Sequence, residues 1–130
     1  MPLTVQIVTP EREVQVAEDA TLVIAKGVEG DVGIMPGHAP LLIALGVGPL
    51  TIVHEGNQRD IIAIDGGFLQ VSRDQVIVLA EYAILPEEID VGQTEAEIAE
   101  LRQRISDEAE AEDAKRRLAR AEMLHAVARM

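Results

Sequence analysis

The chain contains no cysteine and no tryptophan, and it has a single tyrosine and a single phenylalanine. Without cysteine there is no disulfide framework, no thiolate metal site and no cysteine nucleophile, and a reducing, cytosol-like compartment is the simplest setting. With aromatics at only 2% of a chain that is 48% hydrophobic, the core must be aliphatic. Val, Ile and Leu in that proportion favour strands. Basic residues are also scarce: 11 Lys and Arg stand against 23 Asp and Glu, a formal charge of −12. That balance excludes nucleic acid as the main partner, because phosphate binding needs a dominant basic surface. It likewise disfavours docking on anionic lipid. No apolar run approaches the roughly 20 residues of a bilayer-spanning helix, so direct membrane insertion is not expected. The start, Met1-Pro2-Leu3-Thr4-Val5-Gln6, lacks the basic and apolar regions of a signal peptide.

The chain has two compositions. Through residue 85, short apolar runs alternate with turn residues. Leu3-Thr4-Val5-Gln6-Ile7 and Glu13-Val14-Gln15-Val16 alternate around Thr9-Pro10-Glu11-Arg12. Glu55-Gly56-Asn57-Gln58 and Arg73-Asp74-Gln75 read as hairpin turns. Ile61-Ile62-Ala63-Ile64 and Val76-Ile77-Val78-Leu79 are apolar on both faces and are expected between layers. The expected fold of residues 1–85 is an antiparallel β-sandwich of roughly eight to ten short strands.

Residues 86–130 form the second part. Pro86 to Gly92 reads as a connector, and Thr94-Glu95-Ala96-Glu97 has the form of a capping box. Ile98, Leu101 and Ile105 make one helical stripe, and Ala111, Ala114, Leu118, Ala121 and Ala128 a second. A two-helix hairpin and one continuous helix both fit this spacing, and Asp107-Glu108-Ala109-Glu110, as a second cap, favours the hairpin. Alanine-rich stripes bury little area, so the pair needs something to dock on. The tail is polarised: acidic to Asp113, then basic through Lys115, Arg116, Arg117 and Arg120. Its basic end suits an acidic protein surface.

No catalytic constellation emerges. Gly27 to Gly33 lacks the Lys-Ser/Thr and helix of a phosphate loop, and carries Glu29 and Asp31, so its glycines read as turn residues. His38, His54 and His125 stand at no metal-ligand spacing, and neither Ser72 nor Ser106 lies in a nucleophile elbow. A non-enzymatic interaction role is expected, with no cofactor. The competing reading is a stand-alone ligand-binding β-sandwich whose tail dimerises, although the stripe is interrupted before it can sustain heptads.

Glu29-Gly30-Asp31-Val32-Gly33-Ile34-Met35-Pro36-Gly37-His38-Ala39-Pro40-Leu41-Leu42 resembles the E-G-x-x-G-I-x-P-G-H-A-P-L-L signature of the epsilon subunits of bacterial F-type ATP synthases. Asp65-Gly66-Gly67-Phe68 and Val76 to Ala80 are similar to the family as well, and so is the order of a sandwich followed by two helices. The resemblance implies a rotor subunit of the central stalk. Its sandwich would join the gamma subunit to the c-ring, with Asp31, Val32, Ile34, Met35, Pro36 and His38 at the contact. It implies a peripheral place on the cytoplasmic face of the bacterial plasma membrane, held by the complex. It also implies helices that fold on the sandwich or extend toward the alpha and beta subunits to restrain ATP hydrolysis. Lys115, Arg116, Arg117 and Arg120 would then meet beta. Some members of the family bind regulatory ATP through I/L-D-x-x-R-A. Ile89 and Asp90 match, but Gln93 and Thr94 replace Arg and Ala, so ATP binding should be weak or absent.

Overall fold

Inward-facing positions repeat every second residue along most of the first part, as strands require. The computed structural model describes residues 2–107 and 112–130. Six strands run as β1 (Leu3–Val8), β2 (Glu13–Gly27), β3 (Gly30–Ile34), β4 (Leu41–His54), β5 (Arg59–Ser72) and β6 (Gln75–Ile84). A 3-10 turn, Pro86–Glu88, leads to helices α1 (Val91–Asp107) and α2 (Glu112–Ala128). The strand order is β1-β6-β5-β4-β2-β3, and β1 also pairs with β2. Five strands therefore close into a flattened ring, with β3 attached to the outside edge of β2. Closure removes most open edges. All pairings are antiparallel except β1 with β6, which is parallel.

The strands are fewer and longer than their sequence punctuation predicts. β4 and β5 run 14 residues each, straight through Gly46, Gly48 and Pro49 in the one and Gly66 and Gly67 in the other. These glycines mark bends inside strands. On β5, Ile62 and Ile64 face the core before Gly66 and Gly67, while Leu69 and Val71 face it afterwards, so the inward parity changes across the pair. β4 changes parity between Leu45 and Leu50, and β6 between Ala80 and Ala83. Three adjacent strands bend at one level and pass from one layer to the other. Gly67 has φ of +119°, and a Cβ there would lie 2.2 Å from the Leu79 carbonyl oxygen, so only glycine fits the bend.

Leu3, Ile7, Leu50, Ile52, Ile62 and Leu69 are among the side chains sealed in the sandwich. Of the two runs expected between layers, Ile61 to Ile64 is covered on both faces, whereas Leu79 of the other is 54% exposed. The difference lies outside the strands: α2 covers the first run and nothing among the described residues covers the second. The hairpin turns stand as expected, with Gly56, Asn57, Arg73 and Asp74 all at positive φ.

The helices form the hairpin rather than one rod. Leu101 and Ala114 pack with Ile105 and Leu118 between them, and Arg102 pairs with Glu122 at 3.1 Å. The proposed second cap, residues 107–110, and the stripe residue Ala111 lie wholly or partly outside the described residues. α1 begins earlier than the T-x-x-E pattern indicates. Asp90 accepts a hydrogen bond from the Gln93 amide at 3.0 Å and is the N-cap, while buried Thr94 donates its hydroxyl to the Asp90 carbonyl at 2.7 Å. Aspartate outcompetes threonine here because it lies before the first helical residue.

Candidate functional site

The bend described above gives the sandwich two outer surfaces, one on each side of Gly66 and Gly67. The first has no cover among the described residues. Ala44 pairs with Phe68 and Phe68 with Leu79, and Leu79 lies beside Val8. This register places a row of outward apolar side chains across four strands, roughly 14 Å wide at ~4.8 Å per strand. Phe68 is 54% exposed and Leu42, on the same strand as Ala44, 67%. Val28 extends the row at one end, its amide donating to the Ala44 carbonyl at 3.0 Å. At the other end an open groove of about 350 Å³ is bounded by Val8, Pro10, Gly67, Phe68 and Leu79. An exposed strip of this kind marks a contact surface.

The signature loop lies beside this strip. Asp31, Met35 and Pro36 are exposed, Met35 at 62%, and Val32 and His38 are half-buried. Ile34 is 0% exposed and belongs to the core, so it drops out of the predicted contact set and anchors the loop instead. The alternation of β3 turns it inward while Met35 turns outward. The Gly37 amide donates to Asp74 at 2.7 Å, tying the loop to the β5–β6 turn. His38 has its ring Nδ1 2.6 Å from the Ala39 carbonyl.

The second outer surface carries the tail. Ala63 and Asp65 of β5 and Ile84 and Tyr82 of β6 are cross-strand neighbours facing outward. Met123, Val127 and Leu124 of α2 settle on Ala63, Ile61, Ile84 and Ile89. One turn earlier, Arg120 reaches the Asp65 carboxylate and lies over the Tyr82 ring, 4.3 Å from its centroid. Burial pushes the Tyr82 hydroxyl pKa above its ordinary value, against the opposing pull of Arg120. The connector is tied separately: Arg12 donates to both carboxylate oxygens of Glu88 at 2.9 and 2.7 Å. Those bonds, and the Leu85 amide, hold the Glu88 carboxyl below its usual pKa.

The four predicted basic residues do not act together. Among the described residues Lys115 pairs with Glu112 at 3.2 Å and Arg117 with Glu97 at 3.4 Å, both within the tail; Arg116 is exposed; and Arg120 turns to the sandwich. Ile89 and Asp90 have structural duties, the first in the docking patch and the second as the α1 cap.

His54 stands at no metal-ligand spacing in the sequence, which gives no sign of its partners. Its Nδ1 lies 2.6 Å from Asp19 and its Nε2 2.7 Å from Asp60, at the rim of the sandwich. The Asp19 hydrogen bond above all, against the cost of burial, raises its pKa. Each ring nitrogen faces a different carboxylate, so the three do not converge on one ion. Among the described residues no group of three or more His, Asp or Glu is placed to hold a metal.

Fold and surfaces define a two-part interaction protein: a rigid β-sandwich with one uncovered apolar strip, and a helical tail laid on its other face. Residues 2–86 match the beta-sandwich domain of the ATP synthase delta/epsilon chain, and the chain belongs to that family, among its epsilon chains. It is 46% identical over 94 residues to the ATP synthase epsilon chain of Brevibacillus brevis, covering 72% of this chain and 70% of that one. With the epsilon chain of Solibacter usitatus it shares 47% over 94 residues, 72% and 69% of the two chains. A chain in the Euglena gracilis mitochondrial ATP synthase assembly of OSCP, F1 and c-ring superposes with a TM-score of 0.84 at 25% identity, over 96% of this chain and 80% of that one. That superposition includes most of the tail, which the family model leaves out. A chain of the Tetrahymena thermophila central stalk and c-ring shares the fold, with a TM-score of 0.63 at 17% identity over 98% and 97% of the two chains. No described helix is long and apolar enough to cross a membrane.

Proposed function

We propose that the chain is a non-catalytic rotor subunit, coupling gamma to the c-ring and restraining ATP hydrolysis with its C-terminal helices. The observation that carries this reading is the uncovered strip of Leu42, Phe68 and Leu79 on one outer wall of the sandwich. An apolar strip with polar surroundings fits a permanent protein partner, and gamma is the partner proposed. The exposed residues of the adjoining loop, Asp31, Met35 and Pro36, together with half-buried His38, are assigned to the polar loops of the c-ring. The complex would hold the subunit at the cytoplasmic face of the plasma membrane.

The tail is the brake in this reading. Extended along gamma toward alpha and beta, it would present Lys115, Arg116, Arg117 and Arg120 to an acidic surface of beta. ATP is not expected to govern it, because Gln93 offers no cation where the family motif has arginine.

A pull-down with gamma tests the coupling: Phe68→Glu with Leu79→Glu should abolish capture of gamma while leaving the fold intact. Undiminished capture would overturn the assignment of the strip. Truncation after Pro86 should release hydrolysis by the catalytic complex without weakening gamma binding, and unchanged hydrolysis would remove the brake from the proposal.

A further inference from the structure

Most charged contacts of the tail travel with it. Lys115 with Glu112, Arg117 with Glu97, Arg102 with Glu122 and His125 with Glu95 have both partners on the two helices. These pairs survive any movement of the hairpin as a body. Arg120 is different. Among the described residues it is the one helical cation paired with a carboxylate of the sandwich. It is held by two adjacent groups of the sheet, Asp65 and Tyr82, which are cross-strand partners in β5 and β6.

The chemistry of this seat resembles what the tail would seek elsewhere. A guanidinium is satisfied by a carboxylate in its plane and an aromatic face beneath it. Asp65 and Tyr82 supply both, whereas Met123 and Val127 beside it supply apolar area that any hydrophobic groove replaces. The seat is also open to exchange. Arg120 keeps 43% of its side-chain surface in contact with solvent, and a partner's carboxylate reaches it without first unfolding the dock.

We propose that Asp65 and Tyr82 form an intramolecular latch that competes with the tail's acidic protein partner for Arg120, so that the sandwich itself sets how readily the tail leaves. This rests on the brake reading for its consequence in the complex, but not for the latch. A ligand shifts such an equilibrium only by its differential affinity for the two states. Since Arg120 is needed in both, weakening the sandwich side favours release, whereas removing Arg120 weakens both sides.

The test uses the full-length chain, alone and assembled. In the free chain, Asp65→Asn and separately Tyr82→Leu should speed amide hydrogen exchange of residues 118–128 about tenfold, with exchange of β4 and β5 unchanged. Asp65→Glu should restore most of the protection. In the assembled ATPase, Asp65→Asn should lower hydrolysis several-fold, and Asp65→Glu should restore most of it. Unchanged exchange of α2 in both sandwich variants would overturn the latch. Faster exchange with unaltered hydrolysis would uphold the latch and overturn the brake reading, so the two failures are distinguishable.

Discussion

The sandwich and the tail are both packed from aliphatic side chains, yet they are held by different physics. The sandwich closes its strands into a ring around Leu, Ile and Val that are almost wholly buried. The tail buries Leu101 and Ala114 inside itself and Met123 and Val127 against the sheet, and its other sealed apolar side chain is only an alanine, Ala121. At about 25 cal/mol per Å² of apolar area, the first is a global structure and the second a reversible one. Sheet closure makes a fixed part, and alanine makes a removable one.

The sharpest break of this comparison is a matched pair of truncations. Leu69→Ala in the sandwich should cost ~2–5 kcal/mol of global stability by chemical denaturation. Leu101→Ala should leave that transition nearly unmoved and loosen only the helices; an equal global loss would mean the two parts fold as one. Val127→Ala comes next. It should raise opening of α2 roughly tenfold in amide exchange, from two methylene equivalents at ~0.8 kcal/mol each. The sandwich should keep its protection.

His54→Gln probes the rim of the rigid part and should cost on the order of 1 kcal/mol near pH 6. Because the folded-state pKa of His54 is raised above its ordinary 6.5, its stabilisation is fully present below that value and is lost as pH rises through the higher folded-state pKa. Thermal melts of the native chain should therefore weaken across that window, and the variant should lose the slope. The smallest effect is expected for Arg12→Gln. It should free the connector in local exchange without shifting the sandwich melt, and ~1 M salt should mimic it in the native chain.

Much of this was legible in the sequence. The two-part division, the hairpin turns and the aliphatic sandwich follow from local patterns that act within a few residues. The strand count does not, because Gly46 and Gly66-Gly67 carry the same letters whether they end a strand or bend one, and only pairing across the sheet decides. The proposed contact surface was half open to sequence reading: the loop from Asp31 to His38 stood out by its own glycines and prolines. The strip of Leu42, Phe68 and Leu79 did not, since its members come from three strands and become neighbours only by register. The Arg120 seat was hidden for the same reason, with 55 residues separating it from Asp65. Asp65-Gly66-Gly67-Phe68 was the available signal, read as a family mark but not as two surfaces.

That short segment has a mechanical consequence. Asp65 faces the tail and Phe68 faces the uncovered strip, three peptide bonds apart on one strand. A load applied at Phe68 reaches the carboxylate that seats Arg120 through covalent backbone stiffened by neighbours on both sides. The sandwich thus resembles a short crank, in which a push on one outer wall is felt at once on the other.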